Sequence, residues 1–304
     1  MNSGAPDWFG VPLTPDPAIS LKPLGIAPSA KTGPLHKVQF VIEFVGPRSI
    51  LTSSAAQLMN PEWFQALGQP SIWVMRPADL HWQQFTPMMD GSIDSLALPS
   101  DMLTVAGALS SASALQLLQY AERFGPIVSR RPMPVPHPGE VSARVRDLQE
   151  IQSALDIGFS MAVVGTFSEK DLWIACARLG LEFSPGGTFD WREPGHPFPL
   201  LSVSPIGKVD AFSLSQVQSG EVHEGVTVGF SIPRCISPMQ ALEGCFHTAD
   251  YLAKALQGVA LSDGGEAAGA PFRDEARTNL RSASQAFAQA GITPGSPESL
   301  KLFG

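Results

Sequence analysis

Histidines carry the most versatile side chains for catalysis and metal binding, and their spacing here does not indicate a site. The six histidines are His36, His81, His137, His196, His223 and His247. No two of them are separated by the three or four residues that would place two ligands on one face of a helix. We therefore predict no metal site and no cofactor.

The three cysteines offer a second possible chemistry. Cys245 falls on the apolar side of a predicted helix, where a free thiol behaves as a small hydrophobic group. Cys235 precedes that helix closely enough to feel its dipole, but no histidine neighbours it in sequence to act as a base. An odd number of cysteines without a paired framework is typical of a reduced, cytoplasmic compartment.

Ser184-Pro185-Gly186-Gly187 is the remaining candidate for a reactive turn. It contains neither the Gly-Lys-Ser/Thr of a phosphate-binding loop nor the Gly-x-Ser-x-Gly of a nucleophile elbow, so we interpret it as a structural bend. Asp190 and Glu193 flank a turn without a paired acid, which leaves general acid-base catalysis without a candidate. We predict no catalytic residue and a protein that is not an enzyme.

Composition limits the possible partners. The chain has 304 residues, of which 44% are hydrophobic, and a net charge of −8. This length suits two domains. The longest basic run is Arg130-Arg131, too short to neutralise a phosphate backbone, so nucleic acid is not an expected partner. No stretch reaches the ~20 apolar residues of a membrane-spanning helix.

The elements that would position any site follow one another in a repeated order. Residues 1–35 are rich in proline and predict an extended arm, either a flexible tether or a segment docked on a domain. Residues 36–135 predict a first domain, with strands near 38–44, 72–76, 93–98, 102–107 and 127–128. Its helices begin near Thr52, after Asn60 and at Ser110, the last with Ala114, Leu115, Leu118, Ala121 and Phe124 on its apolar stripe. Residues 136–156 predict a linking helix.

Residues 157–304 predict a second domain in the same order. A strand over 159–164 precedes a helix that Ser168 and Asp171 cap and Gly180 ends. Strands near 181–192, 199–205 and 225–233 follow, and Ser237 and Gln240 form a capping box before a helix that ends at Gly258. The order predicts an α+β fold with two tandem split β-α-β domains, each an antiparallel sheet with helices packed on one face.

The second half resembles the C-terminal domain of ZipA, the bacterial division protein that binds FtsZ. The resemblance lies in a series of stretches: Phe159 to Val164, Ala177 to Leu181, Phe183 to Arg192, Pro199 to Val203, Gly225 to Val228, and a helix ending Tyr251-Leu252-Ala253. It covers about residues 157–290, and residues 36–135 are interpreted as a diverged tandem copy.

This resemblance implies a cell-division adaptor that holds the C-terminal peptide of FtsZ on the open face of its sheet. Carried over by position, the peptide-binding residues are Ser160, Ala162, Val164, Gly186, Thr188, Ser204, Ile206 and Gly229. ZipA proteins typically begin with a membrane anchor, and the N-terminal residues here show none. The resemblance therefore implies a cytoplasmic protein at the inner face of the membrane at the division site, held there by an anchor outside this sequence or by a partner.

The alternation of residues alone also places Thr227, Gly229 and Ser231 on the open face, with Val226, Val228, Phe230 and Ile232 in the core. Most positions on this face are small or polar, so a peptide would bind weakly unless it finds apolar anchors. Another segment of the chain could instead cover the face. A small-ligand-binding or regulatory module with a site between the two domains is the alternative function.

Overall fold

The structure, a computed structural model, describes residues 9–27, 33–61, 71–77, 81–207 and 209–304. The chain divides into two compact units. The first unit contains residues 33–154 and 297–304, and the second contains residues 155–296 together with residues 9–27. Each unit combines an antiparallel sheet with helices, which confirms the predicted α+β class.

This division differs from the predicted boundaries in three places. The proline-rich residues 9–27 pack on the second unit, and the helix predicted as a link belongs to the first. The last residues, 297–304, also return to the first unit. The contacts that hold them there include the Gln152 amide, which donates to the carbonyl of Leu302 at 2.7 Å, and Lys301, which pairs with Asp101 at 2.7 Å.

The sheet of the first unit is built around β1 (Gln39–Val45). Phe40, Ile42 and Phe44 are buried as predicted, but Gln39 and Val41, which alternate with them, are buried as well, so the alternation does not separate a buried from an exposed face here. The remaining strands are β2 (Ile50–Leu51), β3 (Trp73–Met75), β4 (Gln83–Gln84), β5 (Ser92–Ile93), β6 (Ser95–Asp101), β7 (Leu103–Thr104), β8 (Gly107–Ala108) and β9 (Arg131–Val135). Five of them form one sheet in the order β4-β3-β6-β1-β9, while β2 with β5 and β7 with β8 form two small ladders.

The closing strand β9 lies four residues beyond the predicted position, because Ile127 and Val128 form a turn. Its sequence, Arg-Pro-Met-Pro-Val, contains two prolines and therefore does not read as a strand. β9 pairs only with β1, and an edge strand tolerates proline because its outward N–H groups need no partner in the sheet.

The helices of the first unit are α1 (Thr52–Ala55), which continues as a short 3-10 turn, α2 (Ser111–Phe124), α3 (Val141–Leu155) and α8 (Pro297–Phe303). Thr52 does not cap α1, since Leu51 holds that position and the Thr52 hydroxyl donates to the Gly91 carbonyl. Ser110 caps α2 as predicted. Ala114, Ala121 and Phe124 of the predicted stripe are buried, but Leu115 is 47% exposed, and Leu117, which was not predicted, is buried. The helix predicted after Asn60 lies mostly outside the described residues.

The second unit is built around a six-stranded antiparallel sheet. Its strands are β10 (Gly158–Ser168), β11 (Glu182–Phe183), β12 (Phe189–Trp191), β13 (Leu201–Ile206), β14 (Val222–Ser231) and β15 (Val259–Ser262). They follow the order β11-β12-β13-β14-β10-β15. β10 lies next to the edge strand β15 and is paired on both sides, with Met161 opposite Val228 on one side and opposite Ser262 on the other.

The helices of this unit are α4 (Glu169–Arg178), α5 (Leu214–Ser219), α6 (Pro238–Leu256) and α7 (Ala270–Gln289). α6 packs on the sheet face that carries Met161 and Val163, and its Phe246 meets Phe159 edge to face at 5.7 Å. Ser168 caps α4 as predicted, whereas the Ser237 hydroxyl donates to the Gln240 side chain and caps no backbone N–H of α6. Among the helices of the described part of the chain, none combines the length and apolar character needed to cross a membrane.

The two sheets share an arrangement of three strands. In each, the first strand is central, the strand before a long helix pairs on one side of it, and the strand after that helix pairs on the other. These sets are β6-β1-β9 around α2 and β14-β10-β15 around α6. The outer strands differ in order. Next to β6 come β3 and then β4, whereas next to β14 come β13 and then β12. A common origin of the two units remains a prediction.

Candidate functional site

The sheet of the second unit has one face against helices and one open face. Met161 and Val163 of β10 are fully buried under α6, so Ser160, Ala162 and Val164 between them point to the other side. The same alternation holds in β13, where Leu201, Val203 and Pro205 are buried and the intervening residues are half-buried. We call this second side the outer face.

The strand register arranges the outer face in three rows. The first row contains Val259, Val164, Gly225 and Ile206. The second row contains Leu261, Ala162, Thr227 and Ser204. The third row contains Ser160, Gly229, Ser202 and Asp190. The face is thus apolar at one end, where Val259 is 55% exposed, and polar at the other.

The polar end of the outer face forms an open groove of about 560 Å³. Its floor is made of small residues, namely Ser160, Ser202, Ser204, Thr227, Gly229 and Ser231. Arg234 lies at the wall of the groove, with its guanidinium 5.5 Å from the centre of the Phe198 ring. A groove of this size with hydroxyl groups on its floor can accept an extended peptide backbone.

Six of the eight residues predicted for peptide binding lie together on the outer face: Ser160, Ala162, Val164, Ser204, Ile206 and Gly229. Of the other two, Gly186 lies in an exposed turn before β12, whereas Thr188 comes directly before β12 and its hydroxyl donates to the buried carboxylate of Asp190 in the third row at 2.9 Å. The prediction placed both on a strand that begins only at Phe189.

Five residues in these three rows were not predicted for the outer face: Val259, Leu261, Gly225, Ser202 and Asp190. Val259 and Leu261 lie on β15, opposite Val164 and Ala162 of β10. An expected antiparallel pairing of β10 with β15 would have placed Val259 and Leu261 on this face, because residues directly opposite each other share a face. Val259 and Leu261 supply the apolar groups that the predicted set lacked.

Gly229 and Gly225 have a structural reason for being glycine. A Cβ atom at Gly229 would lie 2.6 Å from the carbonyl oxygen of Phe159, and at Gly225 it would similarly approach that of Val163. Both oxygens belong to the neighbouring strand β10. Close strand approach therefore explains the two glycines, and any role in a groove comes in addition.

Asp190 is the buried acid at the polar end. Its side chain is 2% exposed and accepts hydrogen bonds from Ser202 at 2.7 Å and from Thr188, and Arg192 pairs with it. Ser202 and Ser160 donate to Asp190 and Asp263 respectively. Because both serines donate to carboxylates, their oxygens keep free lone pairs that can accept N–H groups from a ligand.

Residues 9–27 form a docked arm, not a flexible tether. The carboxylate of Glu193, buried among arm residues, accepts the backbone N–H groups of Leu24 and Ile26 at 2.6 and 2.8 Å. The Trp191 indole donates to the Lys22 carbonyl, and the Phe9 ring packs on Trp173. None of the described arm residues lines the groove on the outer face.

A buried pair of titratable groups joins the start of α4 to β14. Glu169 begins α4 and pairs with His223 of β14, and both side chains are at most 1% exposed. The other oxygen of Glu169 accepts the Trp173 indole N–H at 2.8 Å and the Ser213 backbone N–H at 2.9 Å. Every oxygen of this carboxylate therefore has a partner within the fold, which makes the pair a structural element.

The cysteines are buried thiols. Burial raises the pKa of Cys235 to about 12 and raises the pKa of Cys176 and Cys245 further. Nearby Glu169 adds to the shift at Cys176. A thiol with such a pKa holds almost no thiolate near neutral pH, so these residues lack the reactive form of cysteine.

Within the described ranges, no three His, Cys, Asp or Glu side chains are grouped so that they could hold a metal ion. The turn at Ser184 to Gly187 is structural, because Gly187 has φ of +74° and an added Cβ would clash with Ala211. No model of a known protein family matches the chain, and no curated protein matches it either.

Proposed function

We propose that the second unit recognises a short peptide across its outer face, and that the protein is a non-enzymatic cell-division adaptor of ZipA type. The partner would be the C-terminal peptide of FtsZ, as the resemblance in residues 157–290 implies. The supporting observation is the outer face itself, which is open and graded from apolar to polar while the helices pack on the opposite side.

The three rows suggest how a peptide would bind. An apolar side chain would cover the first row, where Val259, Val164 and Ile206 lie side by side. The peptide backbone would then cross the hydroxyl groups of Thr227 and Ser204 in the second row. Ser160 and Ser202 in the third row would accept backbone N–H groups. Polar contacts would fix the register of the peptide, and the apolar row would supply most of the affinity.

A fluorescence anisotropy titration of the whole chain into a labelled FtsZ C-terminal peptide tests this function. Ile206→Glu places a charge in the apolar row and should weaken binding about thirtyfold or more, the effect of losing one strong anchor. Leu214→Glu is the matched control, because Leu214 is 44% exposed on α5 and lies away from the outer face.

Saturable binding that Ile206→Glu weakens and Leu214→Glu leaves unchanged would support the adaptor function at this face. Two results would count against it. If no peptide binds at millimolar concentration, FtsZ is not the partner. If both variants bind like the unmodified protein, the peptide uses a different surface.

A further inference from the structure

A cavity of about 400 Å³ opens next to the groove, at the beginning of β10. It lies between the start of this strand, the turn after β15, and helices α6 and α7. Its apolar lining includes Ile157, Phe159, Ile232, Leu242, Phe272, Ala276, Leu280 and Ala283. This volume is at the lower end of the range of small-ligand pockets, and it suits one or two large side chains.

The mouth of the cavity is acidic. Asp263, Glu266 and Glu275 line it and are exposed, and the described lining residues include no Lys, Arg or His. Asp263 accepts the Ser160 hydroxyl at 2.7 Å. No described residue forms an ion pair with Glu266 or Glu275. The cavity therefore combines an apolar floor with a rim of negative charge.

The chain itself shows that this region accommodates cations over aromatic rings. The Phe159 ring lies 6.1 Å from Phe272 in the cavity and 5.7 Å from Phe246 behind it. Arg273 and Arg277 lie over the Phe246 ring at 5.1 and 5.3 Å. Both arginines also pair with carboxylates of α6. An aromatic ring beside carboxylates is thus already used as a cation site in this helix pair.

The cavity and the groove are continuous. Residues 157–160 line both, with Phe159 facing the cavity and Ser160 facing the outer face. A segment that leaves the groove past Ser160 would therefore meet the cavity at the wall that Phe159 forms. This continuity distinguishes the cavity from an isolated surface depression.

We propose that the cavity is the anchor site for the partner peptide, and that it takes an apolar side chain followed or preceded closely by a lysine or arginine. The apolar group packs against the wall that Phe159 and Phe272 form, and the cation lies near Glu266 and Glu275 at the rim. The inference rests on the proposed function for its occupant, a peptide. It explains how a groove floored by serine, threonine and glycine can hold a ligand.

A small probe tests the chemistry of the cavity without FtsZ. 4-Phenylbutylamine carries an aromatic group and a cation, and 4-phenylbutyrate has a similar shape with the opposite charge. In an NMR titration of the whole chain, the amine should shift the backbone amides of Phe272, Ala276 and Leu280 in a saturable manner. The acid should bind at least tenfold more weakly. Equal binding of the two probes, or shifts elsewhere on the protein, would overturn the proposal.

Substitutions then connect the cavity to the peptide. Ala276→Trp fills part of the cavity, and Ala288→Trp on the exposed side of the same helix is its control. Glu275→Lys reverses the rim charge without touching the core, and Glu182→Lys on exposed β11 is its control. Ala276→Trp should weaken the FtsZ peptide about thirtyfold and Glu275→Lys about fivefold, while the controls leave binding unchanged.

The outcomes separate the two proposals. If Ile206→Glu weakens the FtsZ peptide while Ala276→Trp and Glu275→Lys do not, the function stands and the anchor site is wrong. If the amine saturates the cavity but no FtsZ peptide binds, the FtsZ partner is wrong and the chemistry assigned to the cavity is supported. If neither the amine nor the peptide binds, the anchor proposal fails together with the FtsZ partner.

Discussion

Glu193 should control whether the N-terminal arm stays docked. Its carboxylate is 3% exposed and accepts two backbone N–H groups of the arm, from Leu24 and Ile26. In Glu193→Gln the side chain keeps one acceptor oxygen and turns an NH₂ group toward the other backbone N–H. One hydrogen bond to a charged acceptor is lost, and two donors then face each other without a partner.

A hydrogen bond to a charged group contributes about 1.5–3 kcal/mol, so we expect the arm contact to weaken by about 2–3 kcal/mol. Hydrogen exchange at the Leu24 and Ile26 amides should then accelerate by about 30- to 150-fold, provided that arm opening limits exchange. The melting temperature of a unit of this size should fall by about 5–10 °C if the arm unfolds together with the unit.

Glu182→Gln is the matched control, because this carboxylate is exposed on β11 of the same unit. A surface change of this kind should shift stability by no more than about 0.5 kcal/mol. Unchanged protection of Leu24 and Ile26 in Glu193→Gln would refute the reasoning, since it would mean that the arm is held by other contacts.

Three further predictions concern buried or paired groups. Ellman's reagent should leave all three thiols unmodified in the native protein and modify them after denaturation. The reason is that burial raises the pKa of Cys235 to about 12 and raises the pKa of Cys176 and Cys245 further. Rapid reaction of the thiols in native buffer would contradict this prediction. Glu169→Gln should lower the free energy of unfolding, measured in urea, by about 3–5 kcal/mol, because His223 then lacks its buried carboxylate partner. Simple additivity with His223→Gln would show that the pair is not coupled. The hydrogen bond from Arg277 keeps the pKa of Glu243 below its ordinary value. That pair therefore stabilises the fold above the ordinary pKa of a glutamate, and the contribution is lost as the pH falls through the lowered pKa. Glu243→Gln should remove this part of the acid sensitivity of the melting temperature, and an unchanged pH profile would exclude the contribution.

Patterns of period two and period 3.6 predicted the elements whose faces differ most in polarity. Val226 and Val228 are fully buried, as their alternation in β14 indicates. The stripe of α3 is similarly buried at Val141, Val145 and Leu148. In such elements the polarity of each residue indicates whether its side chain is buried, so the local sequence is sufficient to predict the buried face.

Elements that depend on distant partners were not predictable in the same way. β9 carries prolines and is a strand only because β1 supplies a partner on one side. The docking of the arm depends on Glu193, about 170 residues further along the chain, and nothing local at Leu24 or Ile26 indicates that acceptor. Helix α8 is short, and it joins the first unit through contacts from Gln152 and Asp101.

The residues of the candidate site also divide into those that the local sequence predicts and those that depend on distant strand pairing. Ser160, Ala162 and Val164 followed from the alternation of β10, and the structure places them on the outer face. Val259 and Leu261 became part of that face only through the pairing of β15 with β10. Thr188 was predicted within a strand, but β12 begins only at Phe189, and the Thr188 hydroxyl donates to Asp190 at the polar end of the face.

Methyl NMR of the whole chain, labelled at Ile, Leu and Val and titrated with the FtsZ C-terminal peptide, tests the central claim most directly. Binding on the outer face predicts saturable shifts for Ile206, Val164, Val259 and Leu261, with the buried methyl groups of Val163 and Val226 changing least. Shifts confined to other surfaces, or no shifts at saturating peptide, would contradict peptide recognition at this face.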